Sequence, residues 1–119
     1  MELAVSKSFK QITSDVSKAW KPCTKRCLTL KGFSAMARAA LASGTIDALH
    51  KELIALAIGV SSRCDACIGY HIRPSSRLRH DPRTTDGNAR HLRLHGRRAN
   101  LMYAAEAVRA YDEMLPKNV

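Results

Sequence analysis

The sequence predicts an all-α domain of about six helices, and three observations support this. Hydrophobic residues make up 45% of the 119 residues but aromatic residues only 5%, with many alanines and leucines. Apolar residues recur at intervals of three and four in several stretches, which is the helical period. Capping residues separate these stretches. The length fits a single domain spanning 1–119, small enough that we expect further burial through oligomerisation.

The first two helices are predicted from their apolar stripes. Residues 1–19 form the first, and residues 20–29 show no period. A second helix follows from Leu30 to Leu41, and Ser43 and Gly44 are predicted to cap its end. The stripes consist of Phe9, Ile12, Val16 and Ala19 in the first helix, and Phe33, Met36, Ala37, Ala40 and Leu41 in the second.

The remaining helices are predicted in the same way. Thr45 or Asp47 caps a third helix that runs to about Val60. A fourth begins near Cys64, and the last covers Leu101 to Met114, where Pro116 ends it. The predicted core face of the third helix is Leu53, Leu56, Ala57 and Val60.

Two cysteines and a histidine mark a reaction centre or a metal site. On a helix, Cys64, Cys67 and His71 lie at i, i+3 and i+7, on one face within about two turns. A helix N-terminus or a nearby imidazolium can lower a thiol pKa until the thiolate dominates. Such a thiolate attacks peroxide to give a sulfenic acid, which condenses with a neighbouring thiol. Glu52 would orient His71, and the imidazole would take the thiol proton.

Two other interpretations of this face remain open. The cysteines and His71 could fill core space, since cysteine is among the most buried residue types. Alternatively, the three residues could bind zinc, with Glu52 or Cys27 as the fourth ligand. Our prediction is the redox site, with no metal and no cofactor.

The net charge of +10 would by itself suggest nucleic-acid binding, but most of it lies in two blocks of the chain. Residues 72–100 contain eight arginines against Asp81 and Asp86, a net of +6, and residues 20–29 have a net of +3, so the rest carries only +1. Arginine contacts to phosphate would give a steeply salt-dependent affinity. Because no aromatic interleaving or known reading motif accompanies the arginines, a nucleic-acid-binding module ranks last among the candidate functions.

Cysteine usage and hydropathy predict a cytoplasmic protein. The N-terminal segment lacks the pattern of a signal peptide, and the longest apolar run, Leu53 to Val60, is too short to span a bilayer. Four cysteines in this setting indicate redox or metal chemistry rather than a framework of structural disulfides.

Three segments resemble the carboxymuconolactone decarboxylase-like family, specifically its branch resembling the alkyl hydroperoxidase AhpD. The Glu-x11-Cys-x2-Cys-x3-His spacing of that branch is matched in full by Glu52, Cys64, Cys67 and His71, whereas Ala66 replaces a histidine found in some members. The segments are Lys51-Glu-Leu-Ile-Ala-Leu-Ala-Ile-Gly-Val60, Arg63-Cys-Asp-Ala-Cys-Ile-Gly-Tyr-His71 and Leu101-Met-Tyr-Ala-Ala-Glu-Ala107.

This resemblance implies an oligomeric thiol peroxidase, a trimer or a multiple of it, that acts on a hydroperoxide. Cys67 would attack the peroxide, Cys64 would resolve the product, and Glu52 and His71 would relay protons. A lipoyl-type or other dithiol donor would supply electrons. A lactone decarboxylase shares the fold, but that reaction does not need a cysteine pair.

The two basic blocks, 20–29 and 72–100, depart from the family pattern without changing its length. Read one base later, the codons of residues 80–100 permit Met-Thr-Arg-Glu-Gln-Leu-Met-Glu-Thr-Leu-Gly-Ile-Cys-Val-Tyr-Met-Gly-Gly-Gly-Pro, which resembles the family. Read one base earlier, those of residues 20–29 permit Leu-Glu-Ala-Leu-His-Lys-Ala-Met-Pro-Asp. Our hypothesis is that both blocks are compensated frameshifts, in the gene or in its recorded reading.

The frameshift hypothesis affects how residues within the blocks are interpreted. Cys23 and Cys27 have the spacing of a ligand pair, but we expect them to have no function. The histidines His80, His91 and His95 are weak candidates for metal or phosphate binding. As written, Pro74 and Pro82 are expected to interrupt helix formation.

Overall fold

A computed structural model describes residues 8–77, 81–95 and 98–115, and these ranges contain six α-helices and no strand. The prediction of an all-α fold with about six helices is therefore confirmed. The helices are α1 Phe9–Arg26, α2 Leu28–Leu41, α3 Ala48–Ser61, α4 Asp65–Arg77, α5 Pro82–His95 and α6 Arg98–Met114. None of the described helices is long and apolar enough to cross a membrane.

The core forms where α4 packs against α1, α3 and α6. Ile68 and Ile72 of α4 are fully buried there, and α6 contributes mainly alanines, whose small side chains allow close approach. α5 packs on α6 at the edge of this core. The buried hydrophobic residues are Phe9, Leu56, Val60, Ile68, Ile72, Ala89, Leu92, Ala104, Ala107, Ala110 and Tyr111.

Local capping signals fix the connection from α3 to α4. The Asp47 carboxylate accepts the His50 backbone N–H at 2.9 Å, so Asp47 rather than Thr45 is the N-cap of α3. After α3 ends, Arg63 adopts a left-handed conformation with φ 56°, and the Cys64 N–H donates to the Gly59 carbonyl at 2.9 Å. This turn reverses the chain and brings Cys64 to the start of α4.

The first basic block is helical, so the prediction that the first helix ends at Ala19 is wrong. α1 continues to Arg26 with Pro22 inside it. A proline removes one backbone hydrogen bond but does not prevent helix formation where tertiary packing compensates. Here the ring of Trp20 lies edge-on to that of Phe33, with centroids 5.8 Å apart, and this contact holds the end of α1 against α2.

The second basic block is also helical where it is described. α4 runs to Arg77 and includes position 74, so the expectation that Pro74 interrupts the helix is wrong; buried side chains hold the turns before it. Pro82 is instead the first residue of α5, where its missing N–H costs no hydrogen bond. The Asp81 carboxylate accepts the Arg83 N–H at 2.8 Å and starts this helix.

Several predicted boundaries shift by a few residues. α2 begins at Leu28 and ends before Ala42, which replaces the predicted cap at Ser43 and Gly44. α6 begins at Arg98, three residues before the predicted start. Residues 1–7 and Pro116 lie outside the described ranges.

Two predicted core faces differ from the structure. In α3, Leu56 and Val60 are buried as predicted, whereas Leu53 and Ala57 are half-buried and line a groove. None of the residues in the predicted apolar stripe of α2 is buried. A helical period predicts which side chains share a face, but it does not say what covers that face.

Candidate active site

α3 and α4 bring a carboxylate and an imidazole together. Glu52 points into the molecule with 7% of its side chain exposed, and its Oε2 lies 2.7 Å from Nδ1 of His71. The His71 side chain is 24% exposed, so one edge of the ring reaches the surface. With a proton on Nδ1, His71 donates to Glu52, and Nε2 remains available as a base.

The two sulfurs of the predicted site form a disulfide between Cys64 and Cys67, whose Cα atoms are 5.2 Å apart. That separation is normal for a disulfide. Cys64 immediately precedes α4, and its Sγ accepts the Cys67 backbone N–H at 3.2 Å. Both residues are half-buried, so a small reagent can reach the sulfurs.

Spacing along α4 places Cys67 and His71 one turn apart on the same face. α3 approaches Cys67 closely because position 59 is glycine. A Cβ built on Gly59 would lie 3.0 Å from the Cys67 Cβ, which is tighter than ordinary contact. All four predicted residues, Glu52, Cys64, Cys67 and His71, therefore lie along the contact between α3 and α4.

Tyr70 anchors α1 to α4, a role the sequence did not reveal. Its hydroxyl lies 2.6 Å from Ser17 Oγ and donates to the Thr13 carbonyl at 3.2 Å. Gly69 allows this approach, since a Cβ there would lie 2.5 Å from Thr13 Cγ2. Tyr103 is half-buried and packs against the core.

Within the described part of the chain, no group of three or more histidine, cysteine and acidic side chains can hold a metal ion. The Cys64 and Cys67 sulfurs are bonded to each other rather than arranged as separate ligands. Of the three histidines of the second block, His91 is exposed on α5. His80 and the side chain of His95 lie outside the description.

Cys23 and Cys27 are exposed free thiols at the junction of α1 and α2. The Cys27 N–H donates to the Cys23 carbonyl at 3.0 Å. Because Cys27 directly precedes α2, the backbone N–H groups of Leu30 and Thr29 lower the pKa of its thiol. Both thiols are separate from the disulfide and serve as internal controls for its chemistry.

A groove of about 790 Å³ lies between the outer face of α3 and α5. Its floor is apolar, and its lining includes none of the four predicted site residues. Its apolar lining residues are Leu53, Ile54, Ala57 and Ile58.

The model of the carboxymuconolactone decarboxylase family matches residues 28–110. The chain belongs to this family. The match includes α3 and α4 with all four site residues, and it continues through the arginine-rich block.

Two curated proteins and one solved structure are similar to this chain. An uncharacterised protein from Haemophilus influenzae is 38% identical over 64 residues, which are 53% of this chain and 57% of the relative, less than two thirds of its length. Another from Cupriavidus necator is 33% identical over 88 residues, 71% of this chain and 75% of the relative. The crystal structure of an apo carboxymuconolactone decarboxylase family protein from Legionella pneumophila matches with a TM-score of 0.85 and 34% identity, covering 89% of this chain and 96% of that one.

Proposed function

We propose that this family member is a thiol-dependent peroxidase of the AhpD-like type, which reduces hydroperoxides through Cys64 and Cys67. The supporting observation is that two sulfurs joined in a disulfide lie at the start of the helix that carries a histidine bonded to a buried carboxylate. Family membership alone is equally consistent with a lactone decarboxylase. The cysteine pair favours the peroxidase, because decarboxylation has no need of two thiols.

In the first step, the Cys67 thiolate attacks one peroxide oxygen. The O–O bond breaks, sulfur is oxidised to a sulfenic acid, and the leaving alkoxide becomes an alcohol. His71 takes the proton from the Cys67 thiol and returns it to the alkoxide, while Glu52 stabilises the imidazolium between the two transfers. The buried Glu52 carboxylate also prevents the His71 ring from rotating.

In the second step, the Cys64 thiolate attacks the sulfenic sulfur of Cys67. The S–O bond breaks, the leaving hydroxide takes up the proton that the Cys64 thiol released, and water and the disulfide are formed. The start of α4 supports a thiolate at Cys64, because the Cys67 N–H already points at its sulfur. An external dithiol, such as a lipoyl group, then reduces the disulfide by thiol exchange and returns both thiols.

The test is peroxide consumption with dithiothreitol as reductant, measured on the unchanged chain and on Cys67→Ser and Cys64→Ser. Cys23→Ser and Cys27→Ser are matched controls, since each removes one thiol outside the site. We expect turnover to vanish in Cys67→Ser, to fall in Cys64→Ser because dithiothreitol must then reduce the Cys67 sulfenic acid directly, and to persist in both controls. In Cys64→Ser, one addition of peroxide should still give a sulfenic acid at Cys67, which dimedone traps as a covalent adduct. Turnover unchanged in Cys67→Ser would refute the proposal.

A further inference from the structure

A second concave site lies on the side of the molecule where α1 meets α4 and α6. It has a volume of about 510 Å³, within the range of small-molecule pockets. Most of its wall comes from one face of α1. The polar side chains that form it are Lys10, Thr13, Ser14, Ser17, Lys18, Lys21 and Arg73.

We call this site the basic groove. Its lysine side chains are arranged along α1. Lys10, Lys18 and Lys21 are 8 and 3 residues apart, so their Cα atoms are separated along the α1 axis by about 12 and 4.5 Å. None of the three ammonium groups forms an ion pair within the described residues. Arg73 projects from α4 into the same groove. Within the described residues, the positive charge of these three lysines is therefore not compensated by an ion pair.

Acidic residues near α1 are engaged elsewhere. The Glu113 carboxylate accepts the backbone N–H groups of Phe9 and Lys10 at 3.0 and 2.9 Å, and it lies near Arg109. Asp15 accepts from the Gln11 amide and does not line the groove. No carboxylate contributes to the described lining, so an anion entering the groove meets donors rather than like charge.

The groove also offers a hydroxyl donor. Ser14 is half-buried in the wall and makes no hydrogen bond within the described residues. The neighbouring Ser17 is bonded to Tyr70, which fixes this part of the wall against α4. A rigid wall with an available O–H and several ammonium groups matches an anion with several acceptor oxygens.

We propose that the basic groove binds a small anion that carries two or more phosphate groups. Lysine ammonium groups act as point charges towards phosphate, and their number here suits a polyphosphate better than one carboxylate. The concave shape and small volume favour a small molecule over a nucleic-acid strand. The groove uses a face of α4 other than that of Cys67 and His71, so this binding is separate from the proposed peroxidase activity.

The test uses pyrophosphate as the probe on the full chain at low ionic strength, by calorimetry and by amide chemical shifts. The groove variant is Lys10→Gln with Lys18→Gln, two lining lysines that lie outside both basic blocks. The control variant, Lys25→Gln with Lys31→Gln, removes the same charge from exposed positions outside the groove. We expect the groove variant to weaken binding at least about tenfold and the control about twofold or less, with shifts in α1 around Ser14.

Equal weakening by the two double variants would overturn the proposal, because net charge alone would then explain the binding. Citrate that binds as tightly as pyrophosphate would overturn the assignment to phosphate. Cys67→Ser is expected to bind pyrophosphate as the unchanged chain does. That comparison separates failure of this site from failure of the peroxidase proposal.

Discussion

The buried Glu52 carboxylate is placed to select the tautomer of His71, since its Oε2 lies 2.7 Å from Nδ1. Glu52→Gln keeps the size but removes the charge that stabilises an imidazolium. We expect the rate constant for Cys67 oxidation by peroxide to fall about 10- to 100-fold, as for other histidine-orienting carboxylates. Single-turnover peroxide loss from the reduced protein measures this. Glu106→Gln, which removes a half-buried acid paired with Arg109 on α6, is the control and should leave the rate constant unchanged.

Gly59 sets the distance between the two helices of the site. Its missing side chain leaves room for Cys67, and a new Cβ would approach that residue's Cβ to 3.0 Å. Gly59→Ala should therefore displace α4 and lower both the free energy of unfolding and the peroxide rate. Gly32→Ala is the matched control, because nothing lies within 4 Å of its position in α2. That change should stabilise the chain by about 0.5–1 kcal/mol, measured by urea unfolding. If Gly59→Ala changes neither the free energy of unfolding nor the peroxide rate, α4 can shift at this contact without loss of stability or activity.

At the scale of the helices, the sequence predicted what local signals determine. Asp47 caps α3 as an N-cap residue should, and the Cys-x2-Cys-x3-His spacing placed one face of α4 correctly. The Tyr70 contact with α1 was missed because it joins residues far apart in the chain. The exposure of the α2 stripe was also missed, because a stripe does not identify the surface that covers it.

Pro22 is the opposite case. A proline is a strong local signal against a helix, and here the helix continues through it. α1 continues through it to Arg26, without the hydrogen bond that a residue with an N–H would donate to the Lys18 carbonyl. Pro22→Ala should raise the free energy of unfolding by up to about 3 kcal/mol, measured by urea unfolding. The neighbouring exposed change Lys21→Ala should have a small effect. If the two variants are equally stable, the end of α1 is frayed in solution and Pro22 costs nothing there.

At the scale of the molecule, apolar side chains remain exposed on α2 and on the outer face of α3. Phe33 is 51% exposed, Met36 62% and Ile58 63%. A stripe of this size on a small domain favours a partner surface, and we propose that a second copy of this chain covers it. The proposal gives a contact surface for the oligomer that the sequence predicts.

Ile58→Glu tests the oligomer proposal, because it places a charge on that face without touching the core. We expect the variant to shift towards the monomer in light scattering coupled to gel filtration. Ala105→Glu, which adds one carboxylate at an exposed position of α6, is the control for charge alone. An unchanged monomer for all three chains would contradict the proposal.

The frameshift hypothesis also makes a prediction for the whole molecule, because the structure shows which positions of the blocks are buried. In α5 these are Thr85, Ala89 and Leu92. The alternative reading places Leu, Leu and Cys at those three positions, and it places Ala at position 22. The buried face would thus become more apolar, and the proline would leave α1.

Restoring residues 20–29 and 80–100 to the alternative reading should therefore raise the free energy of unfolding by several kcal/mol, at about 0.8 kcal/mol for each methylene newly buried. A chain with only residues 20–29 restored separates the effect of Pro22 from that of the α5 face. Sequencing the gene should reveal a base gained or lost at each end of the two blocks, relative to close relatives. Intact codons, together with relatives that carry the same arginine-rich blocks, would refute the frameshift. In that case the arginine-rich residues, including the exposed ones on α5, belong to the protein.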